Sequence, residues 1–279
     1  MLPTGVRHAV GTYMRTLDLL LPGMVSGLYV VGSVALGGYR PDRSDIDFVA
    51  VLAADLDAGG VRRLRIQHAL SGLITTGRAL AHRRSPLTGT CNGVFVTAGD
   101  LRLPVEEIRP VASHTAQEFR AGAAFDVNPV VWKVLAERGV PVRGEPAGSL
   151  GLRWDEQRMR AWTLSNLQSY WAGWAATAPG RPLSSLRPRW TTAWGVLGAP
   201  RLHRTVATGE VITKEEAGLY AMDAFGPEWH PVIGEALAYW RGEPATGACG
   251  DGRATVARAA EFVGEVVRSA AELSPGAGR

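Results

Sequence analysis

The sequence predicts an α/β domain, a mixed sheet flanked by helices, followed by an all-α helical bundle. Three observations carry this reading. Apolar runs of strand length (GLYVV at 27–31, IDFVAVL at 46–52, GVFVT at 93–97) alternate with helix-length segments in the first half. The stretch VPVRGEPAGSLGL at 140–152 is rich in Gly and Pro and reads as a linker. Beyond it the periodic segments all have helical spacing. The expected domains are residues 1–150 and 151–279.

Each element has its own signal. Residues 4–20 form an amphipathic pattern stopped by Pro22-Gly23. The run at 27–31 ends at Gly32-Ser33, as a buried strand would, and the run at 46–52 alternates in its first half. Residues 60–82 have helical spacing, and the strand at 93–97 is followed by a Gly99-Asp100 turn. A helix is expected over 128–137, with Asn128 as cap and Pro129 at its first position. In the second half, 154–178, 190–208, 214–225, 230–241 and 253–273 read as helices with Trp, Leu, Ala and Tyr facing inward.

Composition narrows the classes. With 46% hydrophobic and 20% charged residues the chain is globular. The formal net charge is +4, carried almost wholly by Arg, since Lys133 and Lys214 are the only lysines. Such a balance suits a polyanionic ligand without specifying one. Cys91 and Cys249 form no framework of pairs, which points to a reducing compartment. No run reaches the ~18 to 20 apolar residues needed to span a bilayer. A cytoplasmic protein without a membrane partner is expected, a monomer rather than an oligomer. Arg187 to Trp190 mixes Arg with Trp, but one short stretch without a basic face does not suggest nucleic acid.

The chemistry concentrates between residues 32 and 47. Gly32-Ser33 is followed, after eleven residues, by Asp45-Ile46-Asp47. A strand ending in Gly-Ser offers backbone N–H groups and a hydroxyl to an anion, and Gly lets a phosphate come close. Asp45 and Asp47 project from the same face of a strand, about two rises of ~3.3 Å apart. Two carboxylates that close repel unless a cation lies between them. A pair of Mg²⁺ ions ~3.5 to 4 Å apart would steady an in-line displacement at phosphorus. A lone D-x-D is more often a polar turn entering a strand, with Ser44 or Asp45 as a local cap. The Gly-Ser at this distance, between two apolar runs, favours the functional reading.

Gly32-Ser33 with Ser44-Asp45-Ile46-Asp47 resembles the signature of the nucleotidyltransferase superfamily, the polymerase-beta-like fold. Residues 195–220 and 228–239 are similar to the C-terminal domain of the streptomycin and spectinomycin adenylyltransferases. The resemblance implies transfer of AMP from MgATP to a hydroxyl of an aminoglycoside- or aminocyclitol-like small molecule. It implies that Asp45 and Asp47 bind the metal and Ser33, with Gly32, contacts phosphate. Arg201 and Lys214, thirteen apart, match a basic pair that reaches the triphosphate. The usual fate of Arg and Lys is a solvated helix face.

Family members carry a third carboxylate as general base on the strand after the crossover helix, and here Asn92 stands at that position. An amide accepts no proton near neutral pH. The base then comes from Asp100, Glu106 or Glu107, or the acceptor needs no strong base, or the chain binds nucleotide without turnover. The stretch 176–190 carries Arg181, Arg187 and Arg189 and no acid, which ill suits a polycationic acceptor. Acidic lining would have to come from Glu106, Glu107, Glu118, Asp155, Glu156 or Glu215-Glu216. His114 and Glu118, four apart, suggest a surface hydrogen bond rather than a metal pair. Trp162, Trp171, Trp174 and Tyr170 are expected mainly in the core.

Overall fold

A computed structural model describes residues 1–83, 85, 87–115, 118–182 and 187–273. The chain divides into two compact units, Met1–Asp155 and Glu156–Arg279.

The first unit is built on a six-stranded mixed sheet in the order β5-β4-β3-β2-β1-β6. Helix α1 (Thr4–Leu20) lays Val6, Val10, Tyr13, Met14 and Leu17 on the core and ends before the Pro22-Gly23 turn. It leads into β1 (Val25–Val30), the short helix α2 (Gly32–Ala35) and β2 (Ile46–Leu52). β2 pairs antiparallel with β1 and, after the crossover helix α3 (Ala58–His82), parallel with β3 (Cys91–Thr97). β2 and β3 are apolar almost throughout because both are interior strands, covered on two faces.

Three short strands escape the sequence pattern. β4 (Ala112–Thr115) and β5 (Glu118–Ala121) extend one side of the sheet as antiparallel pairs. Helix α4 (Pro129–Arg138) follows, capped by Asn128, whose side chain accepts from Val130 N and Val131 N at 3.1 and 3.0 Å. The expected linker at 140–152 is in part β6 (Val140–Arg143), an edge strand antiparallel to β1. Pro141 is tolerated there because an edge strand can forgo one N–H.

Inside this unit His114 on β4 is fully buried, with Nδ1 2.8 Å from the Tyr13 hydroxyl. Glu118 lies on β5 and pairs with Arg120. The two residues sit on neighbouring strands, so the surface hydrogen bond expected between them is replaced by separate partners.

The second unit is helical: α5 (Glu156–Asn166), a π-helical turn at Leu167–Trp171, α6 (Ala172–Thr177), α7 (Pro188–Thr208), α8 (Lys214–Ala224), α9 (His230–Arg241) and α10 (Gly252–Glu272). α7 is central and packs on α5, α8, α9 and α10. Trp171 and Trp174 are buried against it, seated where Gly198 and Gly195 leave no side chain. Their core role is as the sequence suggests, whereas Tyr170 is about half exposed (48%). Among the described residues no helix is long and apolar enough to cross a membrane.

Candidate active site

The aspartates sit where β2 begins. Asp45 immediately precedes the strand and Asp47 is its second residue, while Ile46 between them is fully buried. Val31 N donates to the Asp47 carbonyl at 2.9 Å, tying the end of β1 to β2. Gly32 follows at φ +58°, and a Cβ built there would collide with the Asp47 carboxylate. Only glycine lets the chain turn this tightly past an acidic side chain.

Ser33 comes next. Its hydroxyl is shielded from solvent and has no hydrogen-bond partner among the described residues. A buried hydroxyl without a partner is costly and calls for one. Gly32, Ser33, Asp45 and Asp47 therefore form one feature: a tight turn with an unsatisfied donor, set against a carboxylate. Among the described residues no cluster of three or more His, Cys, Asp or Glu converges as a ready metal cage. Two carboxylates instead suit Mg²⁺, which commonly takes one or two protein carboxylates and completes its shell with water and substrate phosphate. The residues fit such an ion.

Asn92 also belongs here. In the parallel ladder it is the register partner of Asp47, and its Nδ2 donates to Asp45 Oδ2 at 2.5 Å. The loop that leads into β3 is tied to the loop that leads into β2: Asp42 Oδ1 accepts from Ser85 N at 3.3 Å and from the Thr88 hydroxyl at 2.5 Å.

Asp126 was not singled out by the sequence. It lies in the turn before α4, which packs on α2. Burial first, and the negative charge of Asp45 second, push its carboxyl up to about 6. A carboxylate poised near neutrality beside a polar turn is a common mark of a proton-transfer group. No local pattern in Phe125-Asp126-Val127-Asn128 announces it; the signal is tertiary.

The alternative bases fare differently. Asp100 accepts from Thr97 N at 2.9 Å and from the Thr97 hydroxyl at 2.7 Å, closing the turn after β3. That is the far end of the strand from Asn92, about five rises of ~3.3 Å away. Glu106 and Glu107 lie on a 3₁₀ turn at Val105–Glu107, farther along the chain from that end.

In the second unit Arg201 on α7 donates from Nε to the Ile212 carbonyl at 3.0 Å, two residues before Lys214. Lys214 is the first residue of α8, behind a capping box in which Thr213 and Glu216 satisfy each other's backbone N–H. The fold thus brings the basic pair to one turn. The Lys214 ammonium lies 4.6 Å from the Trp240 ring centre and 5.3 Å from that of Trp194, within cation–π range. Trp194 stacks on Trp190 at 5.5 Å and 17° between planes, and its Nε1 donates to the Tyr170 hydroxyl at 3.3 Å.

Several of the acids expected to line an acceptor pocket have other partners. Glu118 pairs with Arg120, Glu156 with Arg160 and Glu215 with Arg241, while Glu216 completes the capping box. Arg181 and Arg187 are exposed, and Arg189 donates to the Glu243 carbonyl at 2.6 Å.

Comparison with known proteins gives two family matches. Residues 14–76 match the nucleotidyltransferase domain, and residues 180–265 match the aminoglycoside adenylyltransferase C-terminal domain. No curated protein matches the sequence. Among solved structures, the chain is similar to spectinomycin adenyltransferase AAD(9) from Enterococcus faecialis, whose crystal structure contains ATP and spectinomycin. The TM-score is 0.68 at 12% identity, over 94% of this chain and 98% of that one.

Proposed function

We propose, for a chain that is an aminoglycoside adenylyltransferase-like nucleotidyltransferase, that it transfers AMP from ATP to a hydroxyl of a small aminocyclitol- or aminoglycoside-like molecule. The reaction is Mg²⁺-dependent and serves antibiotic resistance or self-protection. The observation that carries this is the Ser33 hydroxyl, buried without a partner among the described residues, on the Gly32 turn that leaves no room for a side chain beside Asp47.

Bound Mg²⁺ would supply charge neutralisation for the triphosphate and polarise the phosphorus under attack. Asp45 and Asp47 would hold it. Ser33 Oγ donates to a phosphate oxygen. Arg201 and Lys214 offset the charge that develops on the departing pyrophosphate. The acceptor oxygen bonds to the α-phosphorus as the bond to pyrophosphate breaks, and its proton goes to the Asp126 carboxylate. The exposed Arg181 and Arg187, with Glu156 and Glu215 held in ion pairs of their own, favour an acceptor of low positive charge, so spectinomycin is preferred to streptomycin.

The test is calorimetric titration of ATP and Mg²⁺ into the wild-type protein and an Asp45→Asn/Asp47→Asn variant, followed by an acceptor screen read by pyrophosphate release. Metal-dependent binding present in the wild type and lost in the variant supports the reading. Equal binding in both sinks it. A second reading, nucleotide binding without transfer, is favoured by the amide at Asn92, which accepts no proton. Binding without pyrophosphate release across a broad acceptor panel would select it.

A further inference from the structure

We propose that Asn92 is a positioning residue that holds Asp45 for its cation, and that it is not the vestige of a lost base. The proposal rests on the reading of Asp45 as a metal ligand. Asn92 is 5% exposed, and its amide nitrogen lies 2.5 Å from Asp45 Oδ2. The contact is set by the sheet rather than by a mobile side chain. Asn92 is in register with Asp47 on a parallel ladder, and Ile46 N donates to the Thr90 carbonyl at 2.8 Å, locking the start of β2 to the start of β3.

An N–H donor in this place does two things. It offsets part of the repulsion between Asp45 and Asp47 when no cation is present, because a charge-assisted hydrogen bond favours the ionised carboxylate. It also takes up Oδ2 and so fixes the carboxylate plane, leaving Oδ1 in one direction for a ligand. Groups that orient metal ligands from behind typically contribute 10- to 100-fold to metal affinity. A carboxylate at position 92 would be a different device. Two carboxylate oxygens at this separation cannot both stay charged without a shared proton or a cation. Asn92→Asp in this chain therefore removes the clamp instead of restoring a base.

The experiment measures binding of α,β-methylene-ATP, which resists transfer, with and without Mg²⁺. It uses the wild type, Asn92→Leu, the isosteric Asn92→Asp, and Asp45→Asn. Asn92→Leu is expected to weaken Mg²⁺-dependent binding by about 10- to 100-fold and to leave binding in EDTA unchanged. Asn92→Asp is expected to melt at lower temperature than the wild type in EDTA at pH 7.5, to recover when Mg²⁺ is added, and, with ATP in place of the analogue, to gain no pyrophosphate release with any acceptor. An Asn92→Asp protein whose transfer rises about tenfold or more would overturn the proposal, since the residue would then be a lost base. So would an Asn92→Leu protein that keeps its Mg²⁺ dependence within about twofold while Asp45→Asn loses it. If Asp45→Asn changes nothing either, the metal-site reading itself fails, and the clamp falls with it. Because Asn92→Asp preserves shape, it decides the matter even where Asn92→Leu does not fold.

Discussion

The ammonium of Lys214 sits 4.6 Å from the centre of the Trp240 ring. The ring faces of Trp240 and Trp194 hold the ammonium at the start of α8. Lys214→Met is expected to weaken MgATP binding by about tenfold and AMP binding by less than about twofold, since a triphosphate loses a charge-assisted contact that AMP never makes. Equal losses for the two nucleotides in calorimetry would assign Lys214 to packing alone.

Gly32 offers a sharper test of the turn. A side chain there meets two penalties, the left-handed backbone at φ +58° and the Asp47 carboxylate. At Gly37, φ is +78° and nothing lies near a Cβ. Gly37→Ala should therefore cost only the backbone term, about 1 to 2 kcal/mol. Gly32→Ala should cost more and abolish Mg²⁺-dependent nucleotide binding. Urea unfolding of both variants checks the order; equal losses would mean the Asp47 contact is soft.

The raised carboxyl of Asp126 has a signature in pH. Its folded value, about 6, lies above the ordinary aspartate value, so the fold prefers the protonated form. The associated stability is fully present below about pH 4 and is lost as pH rises through about 6. In EDTA, the stability of the wild type relative to Asp126→Asn should fall over that window by on the order of 2 kcal/mol, allowing for partial solvent access. A flat difference would show that the Asp126 carboxyl is neither desolvated nor close to the charge of Asp45. In the acceptor assay, Asp126→Asn should lower the rate by about 100-fold or more with nucleotide affinity little changed.

His114 works in the opposite sense. Burial, then the neighbouring His68, bring its imidazole down to about 3, and its Nδ1 meets the Tyr13 hydroxyl. Stability from the neutral ring is present above about pH 6.5 and is lost as pH falls through that value toward about 3. Wild-type protein should lose about 2 kcal/mol between pH 8 and pH 5 from this group. His114→Leu should lack that slope, while costing about 1 to 3 kcal/mol at pH 8 because the buried Tyr13 hydroxyl loses its partner. Denaturant midpoints at the two pH values decide; parallel slopes would sink the assignment.

How much of this could be read beforehand depends on where the information lies. α1, β2 and α9 were legible to the residue, because each has its period, its stop signal or its apolar run within its own span. β4, β5 and β6 were not. ASHT, EFRA and VPVR are four residues each, too short to show a period, and Pro141 argues locally for a linker. They are strands because β3 and β1 offer unpaired edges. The Gly32-Ser33 and Asp45-Asp47 pairs were visible as a spacing, since a strand and a turn convert spacing directly into geometry. Asp126 was invisible because its environment is made by a residue 81 positions earlier in the sequence. Asn92 was visible as a departure, but the direction of its amide toward Asp45 is a property of the ladder.

That ladder also makes the site depend on register. The segment between α3 and β3 is anchored on Asp42 and delivers Asn92 opposite Asp47. Were β3 to slip by one position against β2, the two faces of the strand would exchange. Asn92 would turn toward the hydrophobic core and Cys91 or Gly93 would come up beside the aspartates. The ties from Asp42 to Ser85 and Thr88 therefore guard the chemistry from a distance, by holding a register.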